Sequence, residues 1–253
     1  MDFTVATALL AGYLLALART VGFILVAPPF NTRAVPAQVR AVIAIALAIP
    51  LCTWTSDDPP ALGSNAFIGQ SLLQIVMGAT LGFFVMIAVA AIQTIGDLID
   101  VAGGFSISIG NDPLLLVQSS VMGRLHQLIA ITLLFVGDGH LVVLHGLSRS
   151  LQVMPVPVLN FRSVAEGVTA GVSGLFLSAI QITAPVLAAL LIADLALGLL
   201  TRAAPALNAF SIAFPLKIML SLLLIGLVLT QIPGALGRYV DHAAIIMLRL
   251  SGG

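Results

Sequence analysis

Five ionisable side chains lie in stretches of the chain that are otherwise apolar, and they are the first candidates for chemistry: Arg19, Asp97, Asp100, Asp194 and Lys217. A charge inside a membrane is costly to bury, so an ionisable residue there is a candidate for function. Asp97 and Asp100 are three residues apart and therefore share a helix face. A proton- or ion-coupled transporter uses such groups as a relay. The interpretation that we favour is neutralising pairs that fix helix register, such as Asp194 with Lys217.

Sequence motifs for catalysis or metal binding are absent. The sequence GDGH, Gly137–His140, resembles an aspartyl-protease motif only in part, and it lacks the second carboxylate that such chemistry needs, so we expect a polar turn or helix break. His140 and His145 are five residues apart, which does not match a zinc-protease helix. Cys52 is the sole cysteine and cannot form an internal disulfide. We expect no enzyme activity, no cofactor and no metal.

The composition predicts a membrane protein. Hydrophobic residues make up 60% of the chain and charged residues 8%, whereas soluble domains average about 25% charged. The formal net charge is zero, so no basic region for nucleic acid is indicated. Six hydrophobic segments follow one another along the chain, at about Val5–Ala27, Val39–Thr53, Ala66–Val101, Val121–Leu147, Val164–Leu200 and Phe210–Gln231. We predict an all-α integral membrane protein in which residues 1–253 form a single multi-pass subunit.

The third and fifth segments are longer than one crossing requires. A run of about 35 helical residues extends roughly 50 Å, against about 30 Å of hydrocarbon. Such helices tilt, kink or project beyond the lipid into a protein assembly, and Pro185 supplies a kink in the fifth. Two glycine pairs have the GxxxG spacing that allows close helix packing, Gly78 with Gly82 and Gly167 with Gly171. Packing within the chain and packing against a partner both remain open for them.

The stretch GGFSISIGNDP, Gly103–Pro113, separates the third and fourth segments. Its bulky apolar residues alternate with serines, and glycines at both ends allow it to bend. A loop in water has no need of bulky apolar side chains, whereas a segment that blocks a pore uses them to exclude water and ions. A simple solvated loop is the alternative. We take residues 103–120 as a candidate channel plug.

Several stretches together resemble the FliR family of flagellar protein-export components and its type III secretion counterparts. The resemblance is carried by RAVPAQVR (Arg33–Arg40), by GGFSISIGNDP after GDLIDVA, by LLFVGDGHLVVLHGLSRSLQVMPV (Leu133–Val156) and most strongly by LALGLLTRAAPALNAFSIAFPLKI (Leu195–Ile218). It covers nearly the whole chain in order.

The resemblance implies a subunit of the export gate in the bacterial inner membrane, within the flagellar basal body. Such a subunit assembles with FliP-like and FliQ-like membrane subunits around a channel that passes unfolded flagellar proteins. The family's loop points into that channel, and the residues of this chain that match it are Phe105, Ser106, Ile107, Ser108, Ile109, Asn111 and Asp112.

Two alternatives stay open. A virulence-type injectisome homologue differs in its substrates and not in its physics. A small ion-coupled transporter that uses Asp97, Asp100, Asp194 and Lys217 belongs to another class. Basic residues occur in both odd- and even-numbered loops, so the positive-inside rule does not decide the orientation.

Overall fold

The computed structural model describes residues 3–28, 30–32, 35–55, 59–105, 120–157, 161–203 and 209–250, and these residues form helices and connections without any β-strand. The all-α prediction is therefore confirmed. The α-helices are α1 (Phe3–Val26), α2 (Ala37–Leu51), α3 (Asn65–Gly103), α4 (Val121–Val136), α5 (Gly139–Val153), α6 (Phe161–Ala203), α7 (Ala209–Leu229) and α8 (Ile232–Leu250), with a 3₁₀ turn at Cys52–Trp54 after α2.

Within the described ranges, five helices are long and apolar enough to cross a membrane, and a sixth crossing results if α4 and α5 form one broken span. This agrees with the prediction of about six hydrophobic segments in an integral membrane protein. The two overlong segments are α3, with 39 residues, and α6, with 43, and each is one helix along its whole length. Pro185 lies inside α6.

Helix ends follow local signals in the sequence. The Phe67 N–H donates a 3.1 Å hydrogen bond to Ser64 Oγ just before α3, which is the usual role of serine at a helix start. Between α4 and α5 the chain bends by 72°, and Asp138 has a left-handed φ of 56° at this point. The prediction that GDGH is a helix break is confirmed.

The chain forms two compact units, and α3 and α6 contribute residues to both. The described residues of unit 1 fall within Met1–Ala88, Leu134–Val172 and Arg238–Gly253, and those of unit 2 within Val89–Leu133 and Ser173–Gly237. The core of unit 1 includes Leu15, Phe23, Met77, Leu81, Leu147 and Leu151, and that of unit 2 includes Ile92, Ile95, Ile99, Ala130, Leu190 and Val228.

In unit 1 the backbones of α1 and α3 touch at the first glycine pair. A Cβ atom at Gly78 would collide with the carbonyl oxygen of Arg19 and lie 2.9 Å from the amide nitrogen of Phe23. A Cβ atom at Gly82 would lie 2.7 Å from the Phe23 carbonyl oxygen. Of the two alternatives left open by the GxxxG spacing, this pair makes a contact within the chain.

The second glycine pair packs against side chains of α3 in the same unit. A Cβ atom at Gly167 would lie 3.2 Å from the Phe84 ring, and one at Gly171 would lie 3.3 Å from Ile87 Cδ1. These contacts are looser than those of Gly78, because a side chain can shift where a backbone cannot.

Alanine substitutions at Gly78 and at Gly69 should have opposite effects on stability. Gly69 lies on the same helix with nothing within 4 Å of an added Cβ. Gly69→Ala should raise the free energy of unfolding by up to about 1 kcal/mol through helix propensity. Gly78→Ala should lower it by about 1–3 kcal/mol, because the α1 backbone must move away. Thermal unfolding of the full-length chain in mild detergent measures both, and equal effects would contradict the α1–α3 contact.

Candidate functional site

Most of the predicted plug lies outside the described residues. Ser106, Ile107, Ser108, Ile109, Asn111 and Asp112 are among those not described, and so is Arg33. The structure does describe both flanks of the segment, which are Phe105 on one side and Ser120 on the other. The candidate site is therefore built from the end of α3 and the start of α4, both in unit 2.

The end of α3 has two positions, Gly103 and Gly104, that glycine fits better than any other residue. Gly104 has φ of 78°, and its N–H donates a 3.0 Å hydrogen bond to the Asp100 carbonyl oxygen. A Cβ atom at Gly103 would lie 2.6 Å from Ser221 Oγ, and one at Gly104 would lie 3.1 Å from the Phe214 ring. The two glycines that begin the predicted plug thus end α3 and let it pack closely against α7.

Ser120 caps the start of α4 and joins it to α3. The Gly123 N–H donates a 2.8 Å hydrogen bond to Ser120 Oγ, which is the bond of an N-cap residue. The Ser120 hydroxyl in turn donates to Asp97 Oδ1. Asp97 therefore supports the cap from the neighbouring helix.

Asp100 acts on the same helix start directly. The Met122 N–H donates a 3.1 Å hydrogen bond to Asp100 Oδ1. Asp100 is fully buried, so bulk water does not compete with it as the acceptor of the Met122 N–H. Carboxylates are stabilising next to the positive end of a helix dipole, and both Asp97 and Asp100 lie at that end of α4. The chemistry of the pair is that of hydrogen-bond acceptors holding the two helices together.

A histidine lies one turn further along α4. His126 Nδ1 lies 2.8 Å from the Met122 carbonyl oxygen, and because a carbonyl only accepts, Nδ1 is the donor. The ring is buried, and its Nε2 has no hydrogen-bond partner in the described part of the chain. Gly96 of α3 packs against the same turn of α4, since a Cβ atom at Gly96 would collide with the Met122 carbonyl oxygen.

Asp194 and Lys217 come together between α6 and α7 in unit 2. Lys217 Nζ lies 2.8 Å from Asp194 Oδ1 and 3.0 Å from Oδ2. The Lys217 side chain is 17% exposed and that of Asp194 is 48% exposed. A half-exposed carboxylate within a span is poorly suited to hydrocarbon, so this face is suited to contact with water or protein.

Arg19, in unit 1, is placed differently from the charge pairs with which the sequence grouped it. It is fully buried, and its guanidinium donates to the side chain of Gln74 and to atoms at the end of α5. Within the described part of the chain, Arg19 forms no ion pair with an acidic residue.

A metal site is not found in the described ranges, which contain no group of three or more His, Cys, Asp or Glu side chains able to hold an ion.

Three polar residues of these contacts were not predicted from the sequence. Ser120 carried a signal, since a serine directly before an apolar run is a helix-start pattern. Gln74 and Ser150 carried none that tells them from other polar residues.

The fold and these contacts define a class: an all-helical, multi-pass membrane protein in which carboxylates secure a helix start next to a glycine-rich connection. A model of the family described as "Bacterial export proteins, family 1" matches residues 10–243. The chain therefore belongs to this family, and the resemblance to FliR proteins is confirmed.

Characterised relatives cover most of the chain. Flagellar biosynthetic protein FliR of Bacillus subtilis is 32% identical over 86% of this chain and 85% of its own length. FliR of Escherichia coli K12 is 31% identical over 81% of this chain and 79% of its own. Surface presentation of antigens protein SpaR of Shigella sonnei is 25% identical over 78% and 77%. The chain is thus similar to components of flagellar and of virulence-type export systems.

Removing the Ser120 hydroxyl should loosen the first turn of α4. Ser120→Ala removes both the bond from the Gly123 N–H and the bond to Asp97, so amide exchange in residues 122–124 should accelerate by an amount equivalent to about 1 kcal/mol. Thr132→Ala on the same helix is the control, because that hydroxyl bonds only its own helix. Hydrogen exchange with mass spectrometry on the full-length protein measures both. Unchanged exchange after Ser120→Ala would contradict the cap.

Proposed function

We propose that the chain is a structural and gating subunit of the flagellar type III protein-export channel in the bacterial inner membrane. It helps to form and to close a pore that passes unfolded flagellar proteins. The observation that carries this proposal is membership of the bacterial export family over residues 10–243. The FliR relatives match 81–86% of the chain and the virulence-type relatives 69–78%, which favours the flagellar system over the injectisome alternative.

The proposal assigns the closing of the pore to the segment from Gly103 to Ser120. What supports it in the described residues is the way the two flanks are held. Gly103 and Gly104 end α3 against α7, and Asp97 and Asp100 hold the start of α4. The segment therefore lies between two helix ends that are held by contacts within the chain. The apolar residues that would seal a pore occur in its sequence.

The partners that we propose are FliP-like and FliQ-like membrane subunits together with other export-apparatus proteins. Support comes from the two described spans that the rest of the described chain covers least, which leave apolar surface for lipid or for a partner helix. Within the chain, 11% of the α7 span and 17% of the α2 span are buried. The half-exposed Asp194 also favours protein or water over lipid as the neighbour of its face.

We further propose that the chain is not a catalyst and binds no cofactor. The charged residues that suggested a transporter have other roles available to them. Asp97 and Asp100 accept hydrogen bonds from the start of α4, and Asp194 is paired with Lys217. These contacts give each of the three carboxylates a structural role.

Shortening the segment Ser106–Ile109 tests the gating role. In the source bacterium, loss of the whole chain should abolish export of flagellar filament protein, and the intact chain should restore it. A chain lacking Ser106–Ile109 should make the membrane permeable to small ions, because the apolar seal is removed. Ion leak is measured in cells, and the native mass of the tagged complex serves as the control for assembly. Unaltered ion leak in a fully assembled complex would overturn the plug, whereas normal export without the chain would overturn the export function itself.

Neutralising Asp194 and Lys217 separates an export subunit from an ion-coupled transporter. Asp194→Asn alone should impair assembly and export, because Lys217 is then left unpaired. The joint change Asp194→Asn with Lys217→Gln should restore most of both. Filament-protein secretion and native complex mass are the measurements. If the double variant assembles but loses all function, the carboxylate has a role in ion coupling and the transporter interpretation gains support.

A further inference from the structure

Arg19 makes hydrogen bonds that are unusual for a buried cation, since all of its acceptors among the described residues are neutral. Nε donates to Gln74 Oε1 at 2.6 Å, Nη1 to the Ser150 carbonyl oxygen at 2.8 Å and to Ser150 Oγ at 3.2 Å, and Nη2 to the Met154 carbonyl oxygen at 2.8 Å. Arg19, Gln74 and Ser150 are fully buried, and Met154 is half-buried. The guanidinium is therefore satisfied by α3 on one side and by the end of α5 on the other.

The acceptors at the end of α5 are the Ser150 carbonyl, which also accepts a 3.1 Å hydrogen bond from the Met154 N–H, and the Met154 carbonyl just after the helix. The last four carbonyl groups of a helix have no amide to bond within it, and α5 ends at Val153. Arg19 donates hydrogen bonds to the Ser150 and Met154 carbonyl oxygens. Gln74 Nε2 donates a 2.7 Å hydrogen bond to the Pro155 carbonyl oxygen. The negative end of the α5 dipole also faces the positive guanidinium. This explains how the charge is tolerated without a carboxylate.

The position of these contacts along α1 shows why such a cap is required. Arg19 lies about two helical turns, or about 10 Å, before the end of the candidate span Ala6–Val26. At this level α1 and α3 are in backbone contact, since Gly78 faces the Arg19 carbonyl. Helix α5 therefore ends beside a part of α1 that is still within its apolar span. Backbone that is not helical at such a depth must be satisfied by protein.

We propose that Arg19, assisted by Gln74, is a positioning residue that takes the place of water at the end of α5 and so fixes where the chain leaves α5 towards α6. The geometry of guanidinium is essential to this role. It places donors on three nitrogens in one plane, which lets it reach an α3 side chain, an α5 carbonyl and the carbonyl of the residue after α5 together. Lysine carries the same charge on a single nitrogen and cannot reproduce this. The role concerns the architecture of unit 1 and does not depend on the exported substrate.

The alternative is that Arg19 is merely a buried charge with no positioning role. In that case an apolar residue of similar length would be harmless or stabilising, as replacement of buried ionic groups often is. If Arg19 is the cap, the same replacement takes the Arg19 donor from the Met154 carbonyl and removes one of the two donors of the Ser150 carbonyl. The two ideas therefore give opposite results for Arg19→Met.

The test is alkylation of a thiol at the end of α5 in the full-length protein, expressed with its neighbours in native membranes. Cys52→Ser removes the sole native thiol, and Leu151→Cys introduces a reporter at a fully buried position in the last turn of α5. Arg19→Met should raise the rate of maleimide labelling at position 151 by about tenfold or more. A tenfold increase corresponds to a free energy of local opening that is lower by about 1.4 kcal/mol. Arg19→Lys should raise it as well. Arg162→Met is the matched control, because that cation is exposed and 86% of its side chain is accessible.

A second reporter separates local from general effects. Ala130→Cys places a thiol at a fully buried position of α4 in unit 2, and its labelling should not change with Arg19→Met. If Leu151→Cys prevents folding, Met154→Cys replaces it, because Met154 meets Arg19 through its backbone carbonyl. Unchanged labelling at the α5 reporter, equal increases at both reporters, or full protection by Arg19→Lys would each overturn the proposal.

Discussion

A backbone amide or carbonyl group inside a membrane has no water to bond, and this constraint explains what the charged side chains of this chain do. Arg19 donates to the carbonyl groups at the end of α5, and Asp97 and Asp100 accept hydrogen bonds at the start of α4. Each charge lies at the helix end of opposite polarity, so the helix dipole adds to the hydrogen bonds. Two buried charges, Arg19 and Asp100, and the half-buried Asp97 thereby hold helix ends in place, where a relay for ions was one interpretation of the sequence.

The glycine contacts make one of these bonds possible. A Cβ atom at Gly22 would collide with the Ile75 carbonyl, just as one at Gly78 would collide with that of Arg19. The two helices can approach this closely only because both positions lack a side chain. Gln74 is adjacent to Ile75, so the approach that needs glycine also brings its amide to the guanidinium of Arg19. Packing and polar satisfaction are coupled at one crossing.

The sequence predicts the helices much better than it predicts the partners of the charged residues. Apolar segment length and the GDGH break were enough for the helical class and the approximate spans, because both depend on local composition. The partners of Arg19 lie far away in the chain, at Gln74 on α3 and Ser150 on α5. No local pattern indicates which of many polar residues will meet it. The Asp194–Lys217 contact was accessible to reasoning because opposite charges in consecutive segments suggest each other.

The long separation between Arg19 and its acceptors also has a consequence for synthesis. Ser150 follows Arg19 by 131 residues, so at about 5–20 residues per second its carbonyl is made roughly ten seconds later. During that interval α1 has left the ribosome with a cation that lacks its eventual α5 acceptors. The first helix of the chain therefore cannot reach its final environment before the fifth has been translated. Completion of this unit therefore waits for segments made well after α1.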